Sequence, residues 1–242
     1  MERLGRLIEL AAGQPVIEGG ACAALGVALA MLERFEEANG AVERARTILG
    51  EQPQTFWLAS FWMGLIATWQ SRLEAAEGVL RPAHDALKSI GEKTHFTTLA
   101  LALAEVLYLE GRRPAEVDDL IRETEEAIRP NDVHSHVLWR ALRARTLGRR
   151  DQPAAVALAR EAVDYGAATD FLLAQGEAHA ALAEVLALSG DRDGARSALD
   201  AAIRVHEAKE NAAAAALVRT RLAAFVDNAR SCEEDGFSTE RR

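Results

Sequence analysis

His134 and His136 stand two residues apart at the start of a predicted helix, and imidazoles are the commonest metal ligands. A two-residue step on a helix sends the side chains to different faces. No third ligand accompanies them, and zinc takes at least three from the protein, so no metal is expected. Arg140, Arg143, Arg145, Arg149 and Arg150 form a basic stretch in an otherwise acidic chain. They read either as ion-pair partners of acidic neighbours in adjacent segments or as an anchor for an acidic peptide or terminal carboxylate, which an arginine fork suits. The carboxylate runs at 116–119 and 123–126 read as solvated outer faces. The segment 55–70 carries Phe56, Trp57, Phe61, Trp62 and Trp69 among aliphatic residues. A helix apolar all round is either buried on every side or exposes a sticky face. The sequence contains no Gly-x4-Gly-Lys-Ser/Thr loop, no Gly-x-Gly-x-x-Gly, no Gly-x-Ser-x-Gly and no His-Glu-x-x-His. No catalytic set and no cofactor are expected.

The elements that must position these residues repeat. Gly26, Ala38 and Ala45 recur at the same spacing as Gly64, Ala76 and Ala83, and again as Ala183, Ala195 and Ala202. A fourth copy reads Arg143, Ala155 and Ala162, with a large residue at the first place. The run Leu-Ala-Glu-Val-Leu-Tyr-Leu-Glu-Gly ending at Gly111 returns 79 residues later as Leu-Ala-Glu-Val-Leu-Ala-Leu-Ser-Gly ending at Gly190, two periods of about 39. Self-similarity at this period marks a helical repeat array. Each repeat reads as two antiparallel helices: 23–32 with 36–49, 55–70 with 74–90, 94–109 with 114–128, 131–147 with 152–167, and 169–188 with 193–208. Gly91, Gly111 and Gly190 are stop signals, Pro114 suits a first turn, and Asn131-Asp132 are capping residues. Segments 1–13 and 211–226 read as terminal helices without a hairpin partner. Residues 1–227 are expected to form the array, and 228–242 a disordered polar tail.

Bulk composition agrees. The 242 residues are 49% hydrophobic but only 5% aromatic, with alanine, the best helix former, prominent. A net charge of -9 argues against a nucleic-acid partner. No apolar stretch is long enough for a membrane span. The start of the sequence lacks a signal-peptide core, and Cys22 and Cys232 suggest no disulfide framework, so a reducing cytoplasm fits.

The small-x11-small-x6-Ala spacing, with Trp139 four residues before Arg143, resembles the tetratricopeptide repeat, here with a period longer than the usual 34 residues. The segments 132–140, 159–163, 169–171, 182–186 and 208–211 are similar to the C-terminal repeat region of large bacterial proteins in which a class III adenylate/guanylate cyclase domain and an AAA-type ATPase domain precede the repeats. Related arrays end ATPase-type transcription regulators. The cyclase and ATPase portions have no counterpart here, so none of their residues carries over. The resemblance implies an all-α, right-handed α-solenoid of about five hairpins with extra terminal helices, whose first helices line a concave groove. Position by position, the groove residues are Phe61, Trp69, Glu105, Tyr108, Arg140, Glu177 and Glu184. The expected function is a noncatalytic scaffold that binds a protein or peptide segment there. The alternatives are a detached regulatory arm of a cyclase- or ATPase-type regulator and, from the aromatic helix and unpaired ends, self-assembly into a homo-oligomer.

Overall fold

The structure is a computed structural model and describes residues 2–50 and 53–220. Among them the chain is all helix and turn, with no strand. A short α1 (Glu2–Leu10) precedes five helical hairpins. These are α2 (Pro15–Met31) with α3 (Phe35–Leu49), α4 (Pro53–Trp69) with α5 (Leu73–Ser89), and α6 (Phe96–Glu110) with α7 (Pro114–Ala127). The last two are α8 (Val133–Leu147) with α9 (Gln152–Ala167) and α10 (Leu172–Leu188) with α11 (Arg192–Ala208). A further helical segment, α12, occupies 212–220 up to the last described residue. No helix among the described residues is long and apolar enough to cross a membrane.

The first helix of each hairpin packs on its own second helix and on the first helices of the neighbouring hairpins, whereas each second helix packs chiefly on the inner layer, with ion pairs such as Arg81–Glu116 and Lys88–Glu123 linking α5 to α7. This makes α2, α4, α6, α8 and α10 an inner layer and the odd-numbered helices from α3 to α11 an outer one. The sequence dictates the division. Inner helices such as Leu172–Leu188 are apolar on most sides, because they are contacted on most sides. Outer helices such as Leu73–Ser89 bury one stripe, including Ala76, Leu80, Ala83 and Leu87, and expose the rest. Local signals set the ends. The side chains of Asp132, Asp151, Asp191 and Asn211 each accept from the backbone N–H three residues on, at 2.9 to 3.1 Å. Gly111 closes α6 in the left-handed region, and Pro114 opens α7.

Each hairpin is pinched at one small residue. A Cβ on Gly26 would strike Val42 and the Ala38 carbonyl, and one on Gly64 would lie 2.5 Å from Leu80 Cγ. The buried equivalents are Ala104, Ala144 and Ala183. In the fourth hairpin the structure moves this position from Arg143, where the repeat spacing puts it, to Ala144. Ala144 is fully buried against Ala155 and Ala159, while the Arg143 side chain is partly exposed and pairs with Asp118. The turn explains the shift. The other four hairpins carry a residue of positive φ seven places after the small one, namely Glu33, Ser71, Gly111 and Gly190. The α8–α9 turn has none; Gly148 there stays right-handed and the chain is one residue shorter from pinch to outer helix.

Both terminal helices are partnered, contrary to the expectation of unpaired ends. Ile8 of α1 packs with Ala21, Cys22, Ala23 and Ala45. In α12, Val218 packs on α10 and α11, while Ala213 and Ala214 join the apolar cluster of Leu29, Ala30, Ile66 and Trp69 from the first two hairpins. The array thus curls until its last described helix touches its first inner helices. The expected tail at 228–242 and the end of the helix expected at 211–226 lie outside the described residues.

Gly64→Ala should lower stability by about 1–3 kcal/mol, the usual cost of overpacking a closed contact. Gly78, inside α5 with nothing within 4 Å of an added Cβ, should respond oppositely, Gly78→Ala gaining about 0.5–1 kcal/mol from helix propensity. Chemical denaturation of the two variants beside the parent checks both signs.

Candidate functional site

Once the pinch residues are aligned on Gly64, Ala104, Ala144 and Ala183, three positions of the repeat face inward. Six residues before the pinch stand Leu58, Thr98, Leu138 and, in the fifth hairpin, Glu177; three before it stand Phe61, Leu101 and Ala141. One after it stand Leu65, Glu105, Arg145 and Glu184. The last set places an acid, a base and an acid side by side on α6, α8 and α10.

These three charges form the centre of the inner wall. Arg145 is 5% exposed. Its Nη1 donates to both Glu105 oxygens at 2.6 Å and its Nε donates to Glu184 at 2.8 Å. The guanidinium lies over the Tyr108 ring, 4.3 Å from its centroid, and the Tyr108 hydroxyl donates to the other Glu184 oxygen. Burial opposes the charge on Arg145, but the carboxylates of Glu105 and Glu184 outweigh it and hold the guanidinium protonated. Burial, ahead of the neighbouring carboxylates, pushes the Tyr108 phenol up to about 12, against the opposing pull of Arg145.

The cluster divides the inner wall in two. On one side is an apolar cavity of about 470 Å³, walled by Trp57, Phe61, Trp62 and Trp69 of α4, by α6 and α8, by Phe171 and the start of α10, and by Leu217 of α12. On the other is a cleft of about 770 Å³ between α6, α7, α8, α10 and α11, lined by apolar side chains such as Leu107, Val117 and Leu199 and bordered by Arg112, Arg149 and Arg150.

Of the residues expected in the groove, Phe61, Trp69, Glu105 and Glu177 border the cavity, and Tyr108 and Glu184 border the cleft. Arg140 is elsewhere. It stacks on Tyr165 at 4.2 Å, bonds to His136 and pairs with Glu161 at 3.5 Å, all against α8 itself and the outer helix α9. The one-residue slip in the fourth hairpin rotates the assignment by about 100°, which carries Arg140 off the wall and leaves Ala141 and Arg145 on it. Arg145 is the inner-wall residue that position matching missed; its distances of 40 residues from Glu105 and 39 from Glu184 are the signal that identifies it. Four arginines of the basic stretch, Arg140, Arg143, Arg145 and Arg150, form ion pairs, with Arg143 and Arg150 sharing Asp118 at 3.2 and 3.1 Å. The aromatic helix takes its interior form, with no large side chain of residues 55–69 exposed. His134 and His136 diverge, one beside Phe171 and the other beside Tyr165.

No protein-family model matches this sequence, and no curated protein matches it. Among solved structures the chain is similar to BtubC (BKLC) from P. vanneervenii, at 16% identity and a TM-score of 0.58, over 86% of this chain and 90% of that one. At that identity the likeness concerns the fold: an all-α array of helical hairpins.

Two outcomes test the cluster. Arg145→Met strands two partly buried carboxylates and should cost about 3 kcal/mol, with part of that recovered when Glu105→Gln and Glu184→Gln are added; denaturation midpoints measure both. Tyr108 and Tyr165 are the only tyrosines, so in Tyr165→Phe the ultraviolet titration reports Tyr108 alone. Its midpoint should lie at about 12 while circular dichroism still shows a folded chain. Because the folded pKa is the raised one, this group's contribution to stability is complete below the unfolded value of about 10 and is lost as pH climbs through the folded one.

Proposed function

We propose that this chain is a noncatalytic protein–protein interaction scaffold of the tetratricopeptide type, which binds a partner segment along its inner face. The observation that carries the reading is the composition of that face. Repeating positions on successive inner helices place aromatic and aliphatic anchors at one end and a charged cluster with an arginine-bordered cleft at the other. Apolar anchors beside a polar rim are the anatomy of a segment-binding surface. The repeat spacing and the hairpin fold support the tetratricopeptide assignment.

A second reading, a regulatory arm of a cyclase- or ATPase-type protein, draws on the segment likeness and on one surface. Leu7, Leu10, Val16 and Ile17, on α1 and the start of α2, are each exposed, and exposed large apolar side chains so near in sequence suit an adjoining folded unit. Under it, co-expression with a cyclase or ATPase domain read from the same gene protects α1 from limited proteolysis; equal cleavage with and without that domain counts against it.

The scaffold reading is tested by a photo-crosslinking residue placed at Arg149, at the cleft, at Lys209, at the mouth of the cavity, or at Arg122 on outer helix α7. In cells of the source organism, one protein should crosslink at the first two positions and not at the third. The same adducts from all three would place recognition off the inner face.

A further inference from the structure

The cavity beside α4 has a chemistry of its own. Its lining includes the rings of Trp57, Phe61, Trp62, Trp69 and Phe171 among aliphatic side chains, and aromatic faces carry partial negative charge. Its ionisable groups do not cancel. Glu105 and Arg145 neutralise each other within the central cluster. Burial lowers the pKa of His134 and leaves that ring neutral near pH 7, and His206, which also lines the cavity, has no solvent exposure and packs beside Gly176. At the rim, Asp170 and Lys209 are exposed and of opposite sign. What remains is Glu177, at the inward position that other hairpins fill with Leu58, Thr98 or Leu138. It is half-buried and has no hydrogen bond or ion pair with any described residue.

A half-buried carboxylate without a partner is costly unless something satisfies it. Near a set of aromatic faces, the group that satisfies both is a cation with an apolar body. At about 470 Å³ the space falls in the range of small-ligand pockets, and Leu217 of α12 forms part of its lining. We propose that this cavity is a binding site for a small organic cation, an alkylated ammonium on an apolar or aromatic body, with Glu177 as its counter-charge and the α4 aromatics as its cage. A neutral ligand would leave Glu177 uncompensated, and an anion would face it directly.

The test uses benzyltrimethylammonium as probe and N-benzylacetamide as an uncharged compound of similar size, with the full chain. Isothermal titration gives affinity. Tryptophan emission reports the location, since Trp57, Trp62 and Trp69 border the cavity and Trp139 packs elsewhere. The cation should bind at least tenfold more tightly than the amide and perturb tryptophan emission. Glu177→Gln, which breaks no contact among the described residues, should weaken the cation at least tenfold and leave the amide unchanged. Equal cation affinity in the variant, equal affinity for the two probes, or no binding up to about 10 mM would each overturn the assignment. The inference shares the cavity with the scaffold reading, but the two fail separately: a chain that captures a partner at the cleft but takes no cation overturns only this one.

Discussion

The close approach of each inner helix to its outer partner governs everything on the inner wall. A helix turns about 100° per residue, so the residue held at the pinch decides which of its neighbours face inward. Gly26 and Gly64 have no alternative, because any side chain would collide with Val42 or Leu80. Ala104, Ala144 and Ala183 reach the same closeness with one methyl group each, fully or almost fully buried. The aromatic cage, the charged cluster and the cleft all inherit their positions from these five contacts.

The two halves of the array meet their packing needs differently. The core around α4 to α7 is built from Leu80, Leu87, Leu99, Leu103, Leu107 and Ile121, with aromatic rings packed on it. The clusters around α8 to α10 are mainly alanine, with Val137 and Val185 the larger members. Alanine buries little area, and apolar burial is worth roughly 25 cal/mol per Å², so the later hairpins gain less from the hydrophobic effect alone. The Arg145 cluster spans this seam. Its net contribution to stability is modest, because desolvation offsets most of the attraction. We read its role as register: Nη1 shared between both Glu105 oxygens on α6 and the Nε bond to Glu184 on α10 fit only one relative height of three neighbouring helices.

Much of this was legible in the residues. The period, the hairpins, the capping aspartates and the small residues of three of the five pinches, Gly26, Gly64 and Ala183, all follow from spacing, because solenoid helices obey local rules repeated at a fixed interval. The fourth hairpin misled because its turn lacks a positive-φ residue and is one residue shorter, a conformational fact that no spacing reveals. That shift alone put Arg140 on the wall and left Arg145 among the ion-pairing arginines, although Arg145 does pair with acids in the adjacent repeats as that reading expects. The curl of the array was also invisible. Ala213 and Ala214 look like any small helical residues, and that they close against Leu29, Ala30 and Trp69 depends on angles summed over five hairpins.

That closure changes what the inner face can do. An open superhelix offers a groove to a long segment, but here α12 lies against both ends of the array and converts part of the groove into a chamber. Any occupant of the chamber contacts α4 on one side and Leu217 on the other, so its binding energy is felt by the contact between the ends. An occupant that prefers the closed arrangement stabilises it by its differential affinity and by nothing else. On α12 the contact it would reinforce is made by Ala213 and Ala214, which give little apolar area of their own and so leave the closure responsive to small energies. The cleft lies across the Arg145 cluster from the chamber and shares Arg145 as a wall. The physical link between the two sites is therefore one buried guanidinium, held by acids that belong to the neighbouring inner helices.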